Sequence, residues 1–281
     1  MSHLDVPGAR LYYETVGSGP LLLLIPGGNG SCDLWRMLAE HLKSHFTVAL
    51  YDRRGFSRSH LIGAQDYEHR LETDADDARR LIQHLSSDNN GDGTATVLGN
   101  SSGAIVSLEL LSVHPDVIRT VIPHEPPAMK FLPDCEELWK IQNDIYNTYR
   151  KSGVAPAIDK FADMVKAGAD KPALTRGFSM PTPDIKFNTM YWFEREFLQY
   201  PFHEFDIKVL EKHKHLLLLA NGRDSNSESL QVRANVAIGE RLGLKVALLP
   251  GMHVSFASHP KAWARDLMQA LKEKDEFYAK L

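Results

Sequence analysis

Cysteine is scarce in this chain. Cys32 and Cys135 are the only two in 281 residues, too few for a disulfide framework, and a reduced, cytoplasmic setting is the default expectation. Long apolar runs are missing as well. The longest, Leu21-Leu22-Leu23-Leu24-Ile25 and Leu216-Leu217-Leu218-Leu219-Ala220, have the length of strands, against the roughly 20 residues that a bilayer span requires. No cationic start followed by an apolar core opens the chain, so no secretory signal is read. Basic runs are absent too. The 32 basic and 36 acidic residues leave a net charge of −4, which argues against nucleic acid or an anionic membrane as partner. There is no internal repeat and no low-complexity tract. Metal-site spacing is weak: His41 and His45 lie four apart, but without the glutamate of H-E-x-x-H. What remains is the composition of a globular protein, 43% hydrophobic and 24% charged. The length suits one large α/β domain or two ordinary ones, with enough chain for a large core.

One stretch stands apart. An apolar β-type run over 94–98 arrives at Gly99-Asn100-Ser101-Ser102-Gly103, and an apolar helical pattern over 104–113 leaves it. This is G-x-S-x-G, in which a sharp strand-to-helix turn lifts one serine hydroxyl out of the fold. The turn pushes its central residue into a strained backbone region, and side chains at Gly99 and Gly103 would collide across it. The next N–H, that of Ser102, opens a helix and is aimed where negative charge can develop.

Strand and helix signals alternate along the rest of the chain. Strands are expected at 10–16 (an edge strand, by its alternation), 21–25, 46–50, 117–123, 215–220 and 245–249, and helices at 71–85, 229–242 and 260–274. A helix capped by Ser31 or Asp33 should present Leu34, Leu38 and Leu42 on one face. The segments 52–59 and 88–93 read as a polar turn and a loop. Between about 129 and 205 strand signals vanish, and helices over 138–149, 155–165 and 185–199 suggest a helical insertion. The expected fold is α/β: a mostly parallel sheet with helices on both faces, built from 1–128 and 206–281, interrupted by helical 129–205.

Ligands of such sheets bind beyond the carboxyl ends of the strands. There fall Pro26-Gly27-Gly28-Asn29-Gly30, Ser101, Glu125, the loop after Ala220 and His253. A serine needs a base to become nucleophilic, and the base needs an acid to fix its tautomer. The chain order in this architecture is Ser, acid, His. Ser101 fits the first place and His253, after the last strand, fits the third. His259 sits against Pro260, and His124 should point to the other side of its strand from Glu125. Two acids compete: Asp224, after the penultimate strand, and Glu125, flanked by apolar sequence at the end of the strand that follows the serine helix. The oxyanion donors should be the N–H groups of Ser102 and Gly28, the glycine allowing close approach. Phosphate binding by Gly27-Gly28-Asn29-Gly30 fits poorly, since the P-loop lysine and the G-x-G-x-x-G spacing are missing. Cys32 reads as a packing residue. This chemistry requires no metal and no organic cofactor.

The serine turn, the segment Asp52-Arg53-Arg54-Gly55-Phe56-Ser57-Arg58-Ser59 and the Ser…acid…His order resemble the α/β-hydrolase superfamily over nearly the whole chain. Finer matches are similar to the fungal zearalenone lactonases: Gly99 to Ala104, His114-Pro115-Asp116 with Ile118-Arg119, His124-Glu125, and Leu248-Leu249-Pro250-Gly251-Met252-His253 followed by Ser258-His259-Pro260. Their oxyanion loop resembles Pro26-Gly27-Gly28, with aspartate where this chain has Gly27. The resemblance implies an α/β-hydrolase fold whose insertion is a cap. It implies Glu125 as the acid, a cap tryptophan, for which Trp192 is the candidate, against the substrate, and mycotoxin detoxification as the role. The expected partner is a small-molecule ester or lactone, with a homodimer left open. A general carboxylesterase, a carbon–carbon bond hydrolase and a non-catalytic ligand-binding relative are the competing readings.

Overall fold

A computed structural model describes residues 2–88, 92–179 and 182–279. In chain order it runs β1 (Ser2–Val6), β2 (Ala9–Val16), β3 (Leu21–Ile25), α1 (Arg36–Leu42), β4 (Thr47–Tyr51), β5 (His60–Leu61), α2 (Arg70–Asp88), β6 (Ala95–Asn100), α3 (Ser102–Val113) and β7 (Ile118–His124). Then come α4 (Cys135–Ser152), α5 (Val154–Met164), α6 (Lys171–Ser179), α7 (Pro183–Arg195), α8 (Ile207–Lys212), β8 (Ala220–Gly222), α9 (Leu230–Leu242), β9 (Ala247–Leu249), α10 (Ser255–Ser258) and α11 (Pro260–Tyr278). The strands form one sheet in the order β1-β2-β4-β3-β6-β7-β8-β9, with β5 beside β2. From β4 to β9 neighbouring strands are parallel, while β2 is antiparallel to β1, β4 and β5. This is the α/β-hydrolase fold with a helical cap inserted between β7 and β8.

The apolar strands fix the centre. Every residue of β3 and β4 is buried, as expected where helices cover both faces of a parallel sheet. On one face Leu23, Ile25 and Val97 pack with Leu81, Ile105 and Leu230 of α2, α3 and α9. On the other, Leu22, Leu24 and Leu98 pack with Leu38, Trp263 and Leu267 of α1 and α11. Among the described residues no helix is long and apolar enough to cross a membrane.

Four expectations are corrected. Segment 10–16 is not at an edge, because β1 pairs with it through a tight turn whose Gly8 has φ +76°. Leu34 is exposed: a 3-10 turn, Cys32–Trp35, capped by the Ser31 hydroxyl, precedes α1 and rotates Leu34 away from the face of Leu38 and Leu42. The expected strand 215–220 shrinks to β8. Lys214–Leu216 is a 3-10 turn, and Leu217 makes only a single bridge to Val121. Helix α6, Lys171–Ser179, lies in the insertion outside the three helices expected there. Part of the expected loop 88–93, residues 89–91, lies outside the described residues.

Candidate active site

The serine turn closes the carboxyl end of β6. Ser101 has φ +56° and ψ −122°, a region costly for any residue with a side chain. It is held there by short main-chain contacts. A Cβ on Gly99 would lie 2.1 Å from the Gly103 carbonyl oxygen, and one on Gly103 would lie 2.3 Å from that of Ile25. The Ser101 N–H donates to the His124 carbonyl at 3.1 Å. Its own carbonyl accepts from Ala104 and Ile105, starting α3. The N–H groups of Ser102 and Gly103 then have no acceptor within the helix. Ser101 itself stays partly exposed.

One strand over, β7 ends at His124, and Glu125 leaves it with φ +48°. That turn sends the Glu125 carboxylate towards β8 and the loop after β9. Oε1 accepts from the Gly222 N–H at 2.8 Å, and Oε2 lies 2.5 Å from His253 Nδ1. Glu125 is fully buried. Burial pushes its pKa up, but the hydrogen bond and charge of His253 outweigh it and hold it down at about 2. An ionised carboxylate only accepts, so Nδ1 carries the proton and Nε2 is left as the basic nitrogen.

Asp224 is elsewhere. It is exposed, its N–H donates to the Gly251 carbonyl at 2.9 Å, and the neighbouring Arg223 pairs with Asp266 at 3.1 Å. A Cβ on Gly222 would come within 2.6 Å of the Gly251 carbonyl. The two loops therefore meet main chain to main chain, with the Asp224 side chain outside. Of the two candidate acids, the structure brings Glu125 to His253.

His124 lies near this pair. Its ring is 6.2 Å from that of His253 and 5.4 Å from Trp263 of α11. Asn100 Nδ2 bridges His124 Nδ1 at 2.9 Å and the His253 carbonyl at 3.1 Å. Burial pushes the His124 pKa down to about 4, so it is neutral near pH 7. As one of the two variable positions of the G-x-S-x-G turn, Asn100 carries no sequence signal for this contact. His259 precedes α11 and contacts the Ser258 hydroxyl. Cys32 is buried, and that burial pushes its thiol well above the usual range, which leaves it a packing role.

The loop after β3 lines the serine. A Cβ on Gly27 would lie 3.2 Å from Ser101 Cβ. Gly28 is covered by the cap: its Cβ position is 2.6 Å from Trp192 Nε1, and that indole N–H donates to the Ser102 hydroxyl at 3.4 Å. Trp192 also packs among Phe161, Phe178, Phe193 and Phe197, with ring centres 4.8 to 5.2 Å away. It is part of the cap core and touches both expected oxyanion positions. Among the described residues no group of three or more His, Cys, Asp or Glu is placed to hold a metal ion.

The family profile of the alpha/beta hydrolase fold matches residues 20–224. Among curated proteins, the chain is 29% identical over 276 residues to an uncharacterised hydrolase, YraK, of Bacillus subtilis, covering 96% of each chain. It is 28% identical over 281 residues to a zearalenone hydrolase of Bionectria ochroleuca, covering 95% of each. Among solved structures it is similar to a thermophilic esterase from Thermogutta terrifontis, with a TM-score of 0.72, 17% identity, and coverage of 98% of this chain and 99% of that one.

Proposed function

Because the chain belongs to the α/β-hydrolase fold family, we propose that it is a serine hydrolase of carboxylic esters. The observation that carries this reading is the Glu125–His253 pair, Oε2 to Nδ1 at 2.5 Å, whose histidine carbonyl accepts from Asn100, the neighbour of a serine held at φ +56° between two obligatory glycines. His253 Nε2 takes the proton of the Ser101 hydroxyl, and the oxygen attacks the ester carbonyl. Glu125 fixes the ring and stabilises its cation. The N–H groups of Gly28 and Ser102 receive the oxyanion. His253 then protonates the leaving alkoxide, and water activated by the same nitrogen releases the acyl group from Ser101.

The substrate class narrows on one observation, the similarity to a zearalenone hydrolase along nearly the full chain. It favours a macrocyclic lactone of the resorcylic type, whose leaving alcohol stays tethered to the acyl group until water arrives. A panel of nitrophenyl esters, simple lactones and zearalenone, followed by mass spectrometry with wild type and Ser101→Ala, tests both levels. Ester turnover that disappears in Ser101→Ala supports the serine hydrolase. Faster opening of the macrolactone than of short acyl esters supports the narrower substrate, and the reverse order makes the protein a general carboxylesterase. Cleavage of vinylogous diketones with no ester turnover overturns the ester reading.

A further inference from the structure

A buried charge cluster lies beneath the loop after β3. Arg53, fully buried, directs Nη1 to Asp74 Oδ2 at 2.9 Å and to Glu196 Oε1 at 2.8 Å. Its Nη2 reaches Glu196 Oε2 at 2.8 Å and the carbonyl oxygen of Gly27 at 2.9 Å. Glu196, also buried, closes the cap helix α7 that carries Trp192. Arg70 adds Nη2 to Glu196 at 3.1 Å and Nη1 to the Tyr191 hydroxyl at 2.8 Å, and the Tyr200 hydroxyl donates to Asp74 at 2.6 Å. The charges of Arg53, Arg70, Asp74 and Glu196 balance. Buried ion pairs of this kind are weak sources of stability, since desolvation offsets their attraction. The cluster therefore calls for another account.

The Gly27 carbonyl supplies it. In a trans peptide the carbonyl and the following N–H point in opposite directions. A Gly27 carbonyl held by Arg53 and by the Gly30 N–H at 2.9 Å turns the Gly28 N–H away from the cluster. Glycine at both positions gives this peptide more freedom to rotate than other residues would, so an external clamp is needed to hold it. We propose that Arg53 and Glu196 are positioning residues: Arg53 fixes the Gly27–Gly28 peptide with its N–H presented as an oxyanion donor, and Glu196 makes that orientation conditional on a seated cap. This rests on the serine-hydrolase reading and names the device that readies its oxyanion hole.

The test compares Arg53→Lys and Glu196→Gln with wild type and Ser101→Ala on a matched nitrophenyl ester and its thionoester. Sulfur is a poor hydrogen-bond acceptor, so the ester-to-thionoester rate ratio reports on the oxyanion donors. Lysine cannot span Gly27, Asp74 and Glu196 together, and glutamine keeps the shape of Glu196 without its charge. Each variant is expected to lose about 10²-fold in kcat, the usual cost of one oxyanion donor, with KM nearly unchanged. The ester preference should shrink in step, while the shape of the pH–rate profile stays in place. Thermal melting identifies a variant that fails to fold; Glu196→Gln, the milder change, then carries the test. A loss of rate with the ester preference intact, or full activity in Glu196→Gln, overturns the proposal. Wild type that hydrolyses neither compound, or Ser101→Ala that hydrolyses both, overturns the serine-hydrolase reading itself and the clamp with it.

Discussion

The strand ends and the cap meet at Gly28 and Ser102, yet they are built differently. At the strand ends main chain fits against main chain. Gly99 faces the Gly103 carbonyl, Gly222 faces that of Gly251, and the Gly222 N–H holds Glu125. In the cap, side chains do the joining. Tyr149 stacks on Phe193 at 4.4 Å, Trp192 is ringed by phenylalanines, and Arg53 grips Glu196. Main-chain contacts admit few residue types, so catalytic geometry is bound to short fixed spacings. A packed aromatic cluster can be met by many combinations, so the surface above the serine is the part free to differ between relatives.

The sharpest break between the regions is expected from Ser101→Ala. It should lower ester turnover by about 10⁴-fold or more and leave the melting temperature close to wild type, because Ser101 buries little. Steady-state rates with a circular-dichroism melt check this; residual turnover within tenfold of wild type would remove Ser101 from the chemistry. Next comes the acid. Glu125→Gln should cost on the order of 10³ to 10⁴ in kcat, as losing the partner of a catalytic histidine does, whereas Asp224→Asn should change it less than about threefold, a surface substitution with no side-chain contact to His253. The opposite ranking would return the acid to the loop after β8.

Acid should also act mainly at the strand ends. His124 is held at about 4 by burial, so an unfolded chain takes up that proton first and stability falls as pH drops from about 6.5 to 4. Glu125, held at about 2, stabilises fully above about 4.5, and its contribution, on the order of 3 kcal/mol, is lost as pH falls towards 2. Melting temperatures measured from pH 7 to 2 should show both stages, and Glu125→Gln should remove the lower one. The smallest effect is expected in the cap. Trp192→Phe keeps most of the ring packing and loses the bond to Ser102, about 1 kcal/mol in a melt, with the change in KM larger for bulky lactones than for short esters. Equal shifts for all substrates would mean that Trp192 serves packing alone.

Legibility in the sequence follows the same division. Strand β3 is read to the residue because five apolar residues end at proline. The places of Ser101 at the end of β6 and of His253 after β9 are readable because the turn and the strand order fix them. Glu125 against Asp224 could not be settled by spacing, since both follow strands that neighbour one another. The choice depends on a +48° φ at Glu125 that no residue pattern announces. His215 to Ala220 looks like a strand, yet Lys214 and His215 begin a turn, and apart from the Leu217 bridge to Val121 the strand starts at Ala220. Arg53 and Glu196 lie 143 positions apart, and nothing local relates them. Leu34 shows how one short 3-10 turn is enough to shift a helical face.

With the Glu125 carboxylate reaching His253 from the end of β7, the stretch around Asp224 serves through its main chain: the Gly222 N–H holds Glu125, and the Arg223 and Asp224 N–H groups hold the Leu249 and Gly251 carbonyls. Past the half-buried Ser225 the chain is open: Asn226, Ser227 and Glu228 are exposed, and α9 starts afresh from Ser229. That makes residues 226–228 a natural splice point for engineering. A peptide tag, a tether to a solid support or a reporter domain can enter there beside the reaction centre while every group around Ser101 keeps its place.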